Sequence, residues 1–241
     1  MLTSIKVRQN EKEGDPMLKK RVFTDEEMEE MGALPLDLLN NAIEAGDKEK
    51  AKRHAKNMYR ESLQMHDMYV DWVAGLMDYI YKNFGENHLY QALKEWRMRN
   101  PMTDVRNVDF KARVKGLVYS LKGHQMPMKI EEDDEKVSIT MQPCGSGQRL
   151  VEKGSYGPPC NFAMIHKPHI MTWGMTDFPV YCAHEPVIEQ VFIEQLGYLP
   201  QVAVPAEKVG SKGCAFCIYK NVDDVPEKFY SRVGKKKLSN K

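Results

Sequence analysis

No stretch of the 241-residue chain approaches the ~20 apolar residues needed to cross a bilayer. Residues 1–20 are charged and lack the apolar centre of a secretory leader. Both absences point to a cytoplasmic protein. A charge excess is missing as well: 35 Lys and Arg stand against 34 Asp and Glu, a net charge of +1. That balance offers no electrostatic footprint for nucleic acid or for an anionic membrane. The one biased patch, residues 234–241 with Lys235, Lys236 and Lys237, reads as a solvated, frayed tail. Cysteine is scarce, and its count of five is odd, which argues against a disulfide framework; in the cytoplasm the thiols are expected to be reduced. There is no internal repeat and no low-complexity segment.

What is present is enough apolar residue, 42%, to bury a full core as one large domain or two small ones. Residues 1–22 read as an arm. Thr24 with Glu27 has capping-box spacing and predicts a short helix over 25–31, and Pro35 opens another that ends before Gly46. The strongest helical pattern covers 47–84, where Met58, Ser62, Met65, Tyr69, Trp72, Val73, Leu76, Ile80 and Phe84 recur at three- and four-residue steps. That stripe is expected to face the core. Further helices are predicted over 89–99 and 109–121. From residue 125 the texture changes to short β-favouring runs divided by Gly and Pro, at 137–141, 160–165, 169–173, 178–182, 199–204 and 214–220, with one amphipathic helix over 186–196. The predicted fold is α+β: a helical domain at 23–124 packed on a mixed or antiparallel sheet at 125–222, followed by a basic tail at 223–241.

The best site signal is Tyr181-Cys182-Ala183-His184-Glu185-Pro186. On a strand, residues i and i+2 share a face, so Cys182 and His184 would converge on one metal or one substrate atom. The following helix, opened by Pro186, would direct its positive end at the thiol and favour thiolate. A buried cysteine beside a capping histidine is the plainer reading. Pro143-Cys144-Gly145-Ser146-Gly147-Gln148-Arg149 is second. Its glycines permit close backbone approach, but it is no phosphate loop, because no Gly-Lys-Ser/Thr follows a four-residue gap. Cys144 there is either a ligand or nucleophile, or an incidental thiol. Cys214-Ala215-Phe216-Cys217 has metal-knuckle spacing, yet on a strand the two thiols face opposite sides and no second pair exists. His66, on the long helix beside Asp67, is either a satisfied core histidine or one reaching into a cleft. His124, past the third predicted helix, caps that helix or supplies a ligand. His166 and His169 read as loop, His54 and His88 as surface.

The Tyr181-Cys182 pair before an amphipathic helix, and the later Gly213-Cys214-Ala215-Phe216, are similar to the C-terminal part of the L-2-amino-thiazoline-4-carboxylic acid hydrolase-like family. That family is itself distantly akin to vinyl-reductase/hydrocarbon-binding domains. The likeness covers residues 137–220. The family's closing motif reads Cys-Asp-Phe, and here Ala215 replaces the acid, so no role for that acid carries over. The resemblance implies hydrolytic opening of a small sulfur–nitrogen ring.

The leading expectation is a small-molecule enzyme that hydrolyses or lyses a C–N or C–S bond. His124, Cys144, Cys182 and His184 would hold zinc or another divalent transition metal, and His66 or Asp67 would serve as base or substrate anchor. A metal-free variant has Cys182 as thiolate nucleophile and His184 as its base. From another class, a ligand-binding or sensory domain would line an apolar pocket with Met65, Tyr69, Trp72 and Trp173, the cysteines being structural. Either way the partner is a small molecule rather than nucleic acid or membrane, and a homo-oligomer is compatible.

Overall fold

Thr24 and Glu27 form the reciprocal capping box that their spacing predicts, and α1 runs Asp25–Gly32 behind it. The computed structural model describes residues 22–210 and 212–238; the arm expected over 1–22 lies outside them apart from Val22. Pro35 opens α2 (Pro35–Glu44), and α3 (Lys48–Phe84) follows for 37 residues, passing through Gly75 without a break. Gly85 at φ 85° ends it and starts α4 (Glu86–Met98). Asp109 accepts a hydrogen bond from the Ala112 amide to cap α5 (Phe110–Lys122).

By contacts the chain divides into two units, Met1–Glu61 and Ser62–Lys241, rather than at residue 124. In the first, α2 buries Ala42, and His54 on α3 is buried, not on the surface as its sequence suggested. The second unit carries everything that follows.

Its sheet holds β1 (Met128–Glu132), β2 (Lys136–Met141), β6 (Ala215–Tyr219) and β5 (Val202–Val204), in that spatial order, antiparallel throughout. The α+β expectation holds. β2 alternates, with Val137, Ile139 and Met141 turned inward, whereas central β6 is buried over Phe216–Tyr219, as a strand covered on both faces must be. β1, with Lys129, Glu131 and Glu132, is a charged edge, which discourages further pairing. α6 (Gly147–Glu152), the two-residue strands β3 (Met164–Ile165) and β4 (Phe178–Pro179), α7 (His184–Leu196) and α8 (Glu227–Ser231) complete the unit. α7 is buried nearly all round, and its polar members are satisfied: the Tyr90 hydroxyl donates to Gln190 Oε1 at 2.8 Å.

Four expectations are corrected. Residues 169–173 form a 3-10 turn rather than a strand, with His169 capping it. Residues 180–183 are also a 3-10 turn, not the end of a strand. The basic tail is built into the fold as far as residue 238: Phe229, Tyr230 and Val233 are buried, and Lys237 Nζ donates to the carbonyls of Asp223 and Val225. Finally, α3 turns Val70, Ala74 and Met77 inward, while Met65, Tyr69, Trp72 and Leu76, taken from the sequence as core, are exposed.

Candidate functional site

Two glycines set the site's wall. A Cβ on Gly145 would overlap the backbone carbonyl of His124, so only glycine lets this loop lie flat against the end of α5. A Cβ on Gly147 would come within 2.6 Å of Cys182 Sγ. Between them Ser146, 3% exposed, is pressed against His124. On the opposite side the Met141 amide donates to the Cys214 carbonyl at 3.1 Å, which fixes that thiol at the end of β2.

The result is a partly open, mainly apolar cavity of about 50 Å³, lined by His124, Cys144, Ser146, Tyr181, Cys182 and Cys214, with Trp173 and Phe216 among its apolar walls. A water needs roughly 10–15 Å³ measured this way, so the space takes only a few water-sized groups at once.

One edge of the cavity is polar and ordered. Ser146 Oγ lies 2.6 Å from His124 Nδ1 and 3.3 Å from His66 Nε2, and those two ring nitrogens are 3.4 Å apart. His66 Nδ1 lies 3.2 Å from Asp67 Oδ1. Asp67 in turn accepts from Arg149 at 2.5 Å and from Lys153 at 2.6 Å. Burial lifts the Asp67 carboxyl, but hydrogen bonds from Lys153, Arg149 and His66 outweigh it and bring its pKa down to about 2. Asp67 therefore stays ionised and only accepts. His66 Nδ1 also lies 3.4 Å from Arg149 Nη1, so this ring nitrogen faces both a carboxylate and a guanidinium. The Ser146 hydroxyl, which can donate or accept, stands between the two imidazole rings. Among the described residues no group hydrogen-bonds His124 Nε2. Burial and neighbouring His66 depress the His124 pKa, so its ring is neutral at pH 7.

All six residues singled out in the sequence fall in this region, in roles partly different from those expected. His66 and Asp67 form the polar edge. His124, Cys144, Cys182 and His184 line the cavity together. The pairing of Cys182 with His184 is not that of a strand, since Cys182 lies within a 3-10 turn that ends at Ala183, and His184 begins α7. His184 Nδ1 donates to the Tyr181 carbonyl at 2.6 Å and Nε2 faces Glu185 Oε1 at 3.2 Å, so both ring nitrogens are engaged. Burial opposes its charging, yet Glu185 and the Tyr181 carbonyl together raise its pKa. No hydrogen bond joins it to Cys182, and the helix end does not produce a thiolate: burial, with the Cys214 and Cys144 sulfurs nearby, pushes the Cys182 thiol well above its ordinary range. The thiolate–base dyad is corrected on both counts. Among the described residues no three His, Cys, Asp or Glu side chains are grouped so as to hold a metal ion.

Ser146 and Arg149, which the sequence marks only as part of the glycine-flanked motif, Cys214, marked only as one of a knuckle-spaced pair, and Lys153, which it does not mark, complete the site. The Gly-Ser-Gly sequence was the available signal for Ser146. Nothing local marks the pairing of Arg149 and Lys153 with Asp67, which is 82 and 86 residues away. Cys214 and Cys217 do part company: Cys214 lines the cavity, and buried Cys217 sits within β6, its Sγ 3.5 Å from Ser138 Oγ. Met65, Tyr69 and Trp72 line no part of the cavity, though Trp173 does. No family, no curated protein and no solved structure matches the chain. No helix among the described residues is long and apolar enough to cross a membrane.

Proposed function

We propose that this chain is a small-molecule enzyme, a hydrolase or lyase acting on a C–N or C–S bond, with His124 as its general base. The observation that carries the reading is the series of close contacts from Asp67 through His66 and Ser146 to His124, ending at a mainly apolar cavity. A neutral imidazole with a free Nε2 takes a proton from water or from the substrate. Ser146 and His66 then carry the charge toward Asp67, which remains ionised and stabilises it. A base sheltered in an apolar space gains from the exclusion of bulk water. The C–N or C–S bond rests on the resemblance over residues 137–220, and the soft, thiol-lined wall is compatible with a sulfur-containing substrate.

The test is hydrolysis of a panel of small thiazolines, amides and thioethers, beginning with 2-amino-thiazoline-4-carboxylate, with the scissile bond in the cavity and the rest of the molecule toward its open side. His124→Gln is expected to lower kcat by about 10²–10⁴-fold with folding retained. Turnover unchanged in that variant would overturn the role of His124.

A second reading, a zinc-like site, rests on Cys144, Cys182, Cys214 and His124 lining the same cavity, and it requires them to close in on the ion, since no three of them are grouped to hold one as they stand. The thiols would have to lose their protons on binding, so metal uptake would release protons and strengthen with pH. Metal analysis of the parent protein against Cys182→Ala and His184→Ala tests it. Only loss of a stoichiometric metal in the cysteine variant supports this form, because the ring nitrogens of His184 are already engaged.

A further inference from the structure

The most regular apolar pattern in the chain is left unused by its own core. On α3, Met65, Tyr69, Trp72, Leu76 and Tyr79 are between 48% and 61% exposed. Their spacings are four, three, four and three, a 3.5-residue repeat. That repeat differs from the face α3 uses inward, Val70, Ala74 and Met77. A 3.5-residue apolar seam is the pattern by which one helix packs along another in a left-handed pair.

We infer that this seam pairs with the same seam of a second copy of the chain about a two-fold axis. Three observations choose that occupant. The flanking positions Met68 and Val73 are themselves apolar and exposed, so the partner surface must be an uncharged seam rather than a charged groove. Residues 1–21, the longest part of the chain outside the described residues, carry nine charged side chains and no comparable apolar repeat. The area is also sufficient. Aromatic side chains bury about 150–250 Å² each, so the half-exposed seam and its flanks offer on the order of 700 Å² per copy, close to the roughly 800 Å² per partner of a stable interface. A seam facing its own copy is self-complementary, which a two-fold interface requires. Val73 also rims a groove whose other wall includes Tyr181 and His184, so the second copy would sit beside the outer wall of the cavity.

The experiment is light scattering with size exclusion on the full chain at about 1–100 μM, with Trp72→Glu, Leu76→Glu, and Tyr119→Glu as a control outside the seam; Tyr119 is 82% exposed. The parent and the Tyr119 variant are expected to be dimers. The two seam variants are expected to be monomers with unchanged far-ultraviolet circular dichroism, since their side chains already face solvent. A monomeric parent at 100 μM would overturn the inference, and so would seam variants that stay dimeric.

Discussion

Ser146 Oγ lies 2.6 Å from His124 Nδ1, and the two residues belong to segments 22 positions apart that meet because Gly145 has no side chain. This contact joins the cavity to the His66–Asp67 pair. Ser146→Ala leaves the His124 Nδ1–H without that acceptor in a half-buried setting. We expect a loss of about 1–3 kcal/mol in denaturant unfolding and, if the series conducts protons, a lower kcat with little change in KM.

Gly147 and Cys182 form a second coupled pair. Gly147→Ala places a methyl group 2.6 Å from Cys182 Sγ and is expected to cost about 1–3 kcal/mol. Because the clash is with sulfur, adding Cys182→Ala should restore most of the loss. A double-mutant cycle by urea denaturation checks this, and additive losses would count against the contact.

Thiol chemistry should be uneven. Cys160 is exposed, whereas burial holds Cys182 well above the ordinary thiol range and, with Cys144 and Glu185 nearby, pushes Cys214 to about 12. At pH 8 an aromatic disulfide reagent should label Cys160 first, with Cys182 and Cys214 becoming reactive only in denaturant. Mass spectrometry of the partially labelled protein reads the order.

The acid limb of stability should depend on Asp67. Its folded pKa, about 2, is below the ordinary carboxylate value of 3.8, so its pairing contributes fully above about pH 4 and is lost as pH falls toward 2. Asp67→Asn should flatten the stability profile over that window, measured by thermal unfolding between pH 2 and 5.

Away from the cavity, buried Glu189 accepts from Arg232 at 2.5 Å, from Trp173 Nε1 at 2.7 Å and from the Ala203 amide at 2.8 Å. Burial pushes the Glu189 carboxyl up to about 7 against the pull of Arg232, so removing Arg232 leaves a buried carboxyl that must take up a proton or stay uncompensated. Arg232→Ala is therefore expected to cost about 3–5 kcal/mol, read by denaturant unfolding. The same contact explains why the chain beyond residue 222 is not a tail.

Local signals in the sequence were read well where they act locally. The Thr24–Glu27 box is legible from its spacing, and so are the helix over 109–121 and the β-favouring run at 137–141; the Asp109 cap and the inward alternation of Val137, Ile139 and Met141 come from the structure, and both also act within a few residues. The 47–84 helix was equally legible, but not its orientation: a 3.5-residue stripe signals that a helix packs against something, not that the something is its own core. Residues 180–184 misled because a short apolar run reads as strand until the burial of Val180, Tyr181 and Ala183 in a 3-10 turn is seen. All six candidate residues reached the site region, yet the contacts that define their chemistry, Ser146 with His124 and Asp67 with Arg149 and Lys153, span 22 to 86 positions and leave no periodic trace.

The account turns on His124 being a neutral base with its proton on Nδ1. The most direct measurement is a pH titration of ¹⁵N-histidine-labelled protein by long-range nitrogen–proton correlation, with His124→Gln to assign the resonances. A His124 ring in the Nδ1–H form at pH 7, protonating below the ordinary histidine value of 6.5 and changing tautomer balance in Ser146→Ala, is the predicted result. A ring that protonates above 6.5, or carries its proton on Nε2, would contradict it.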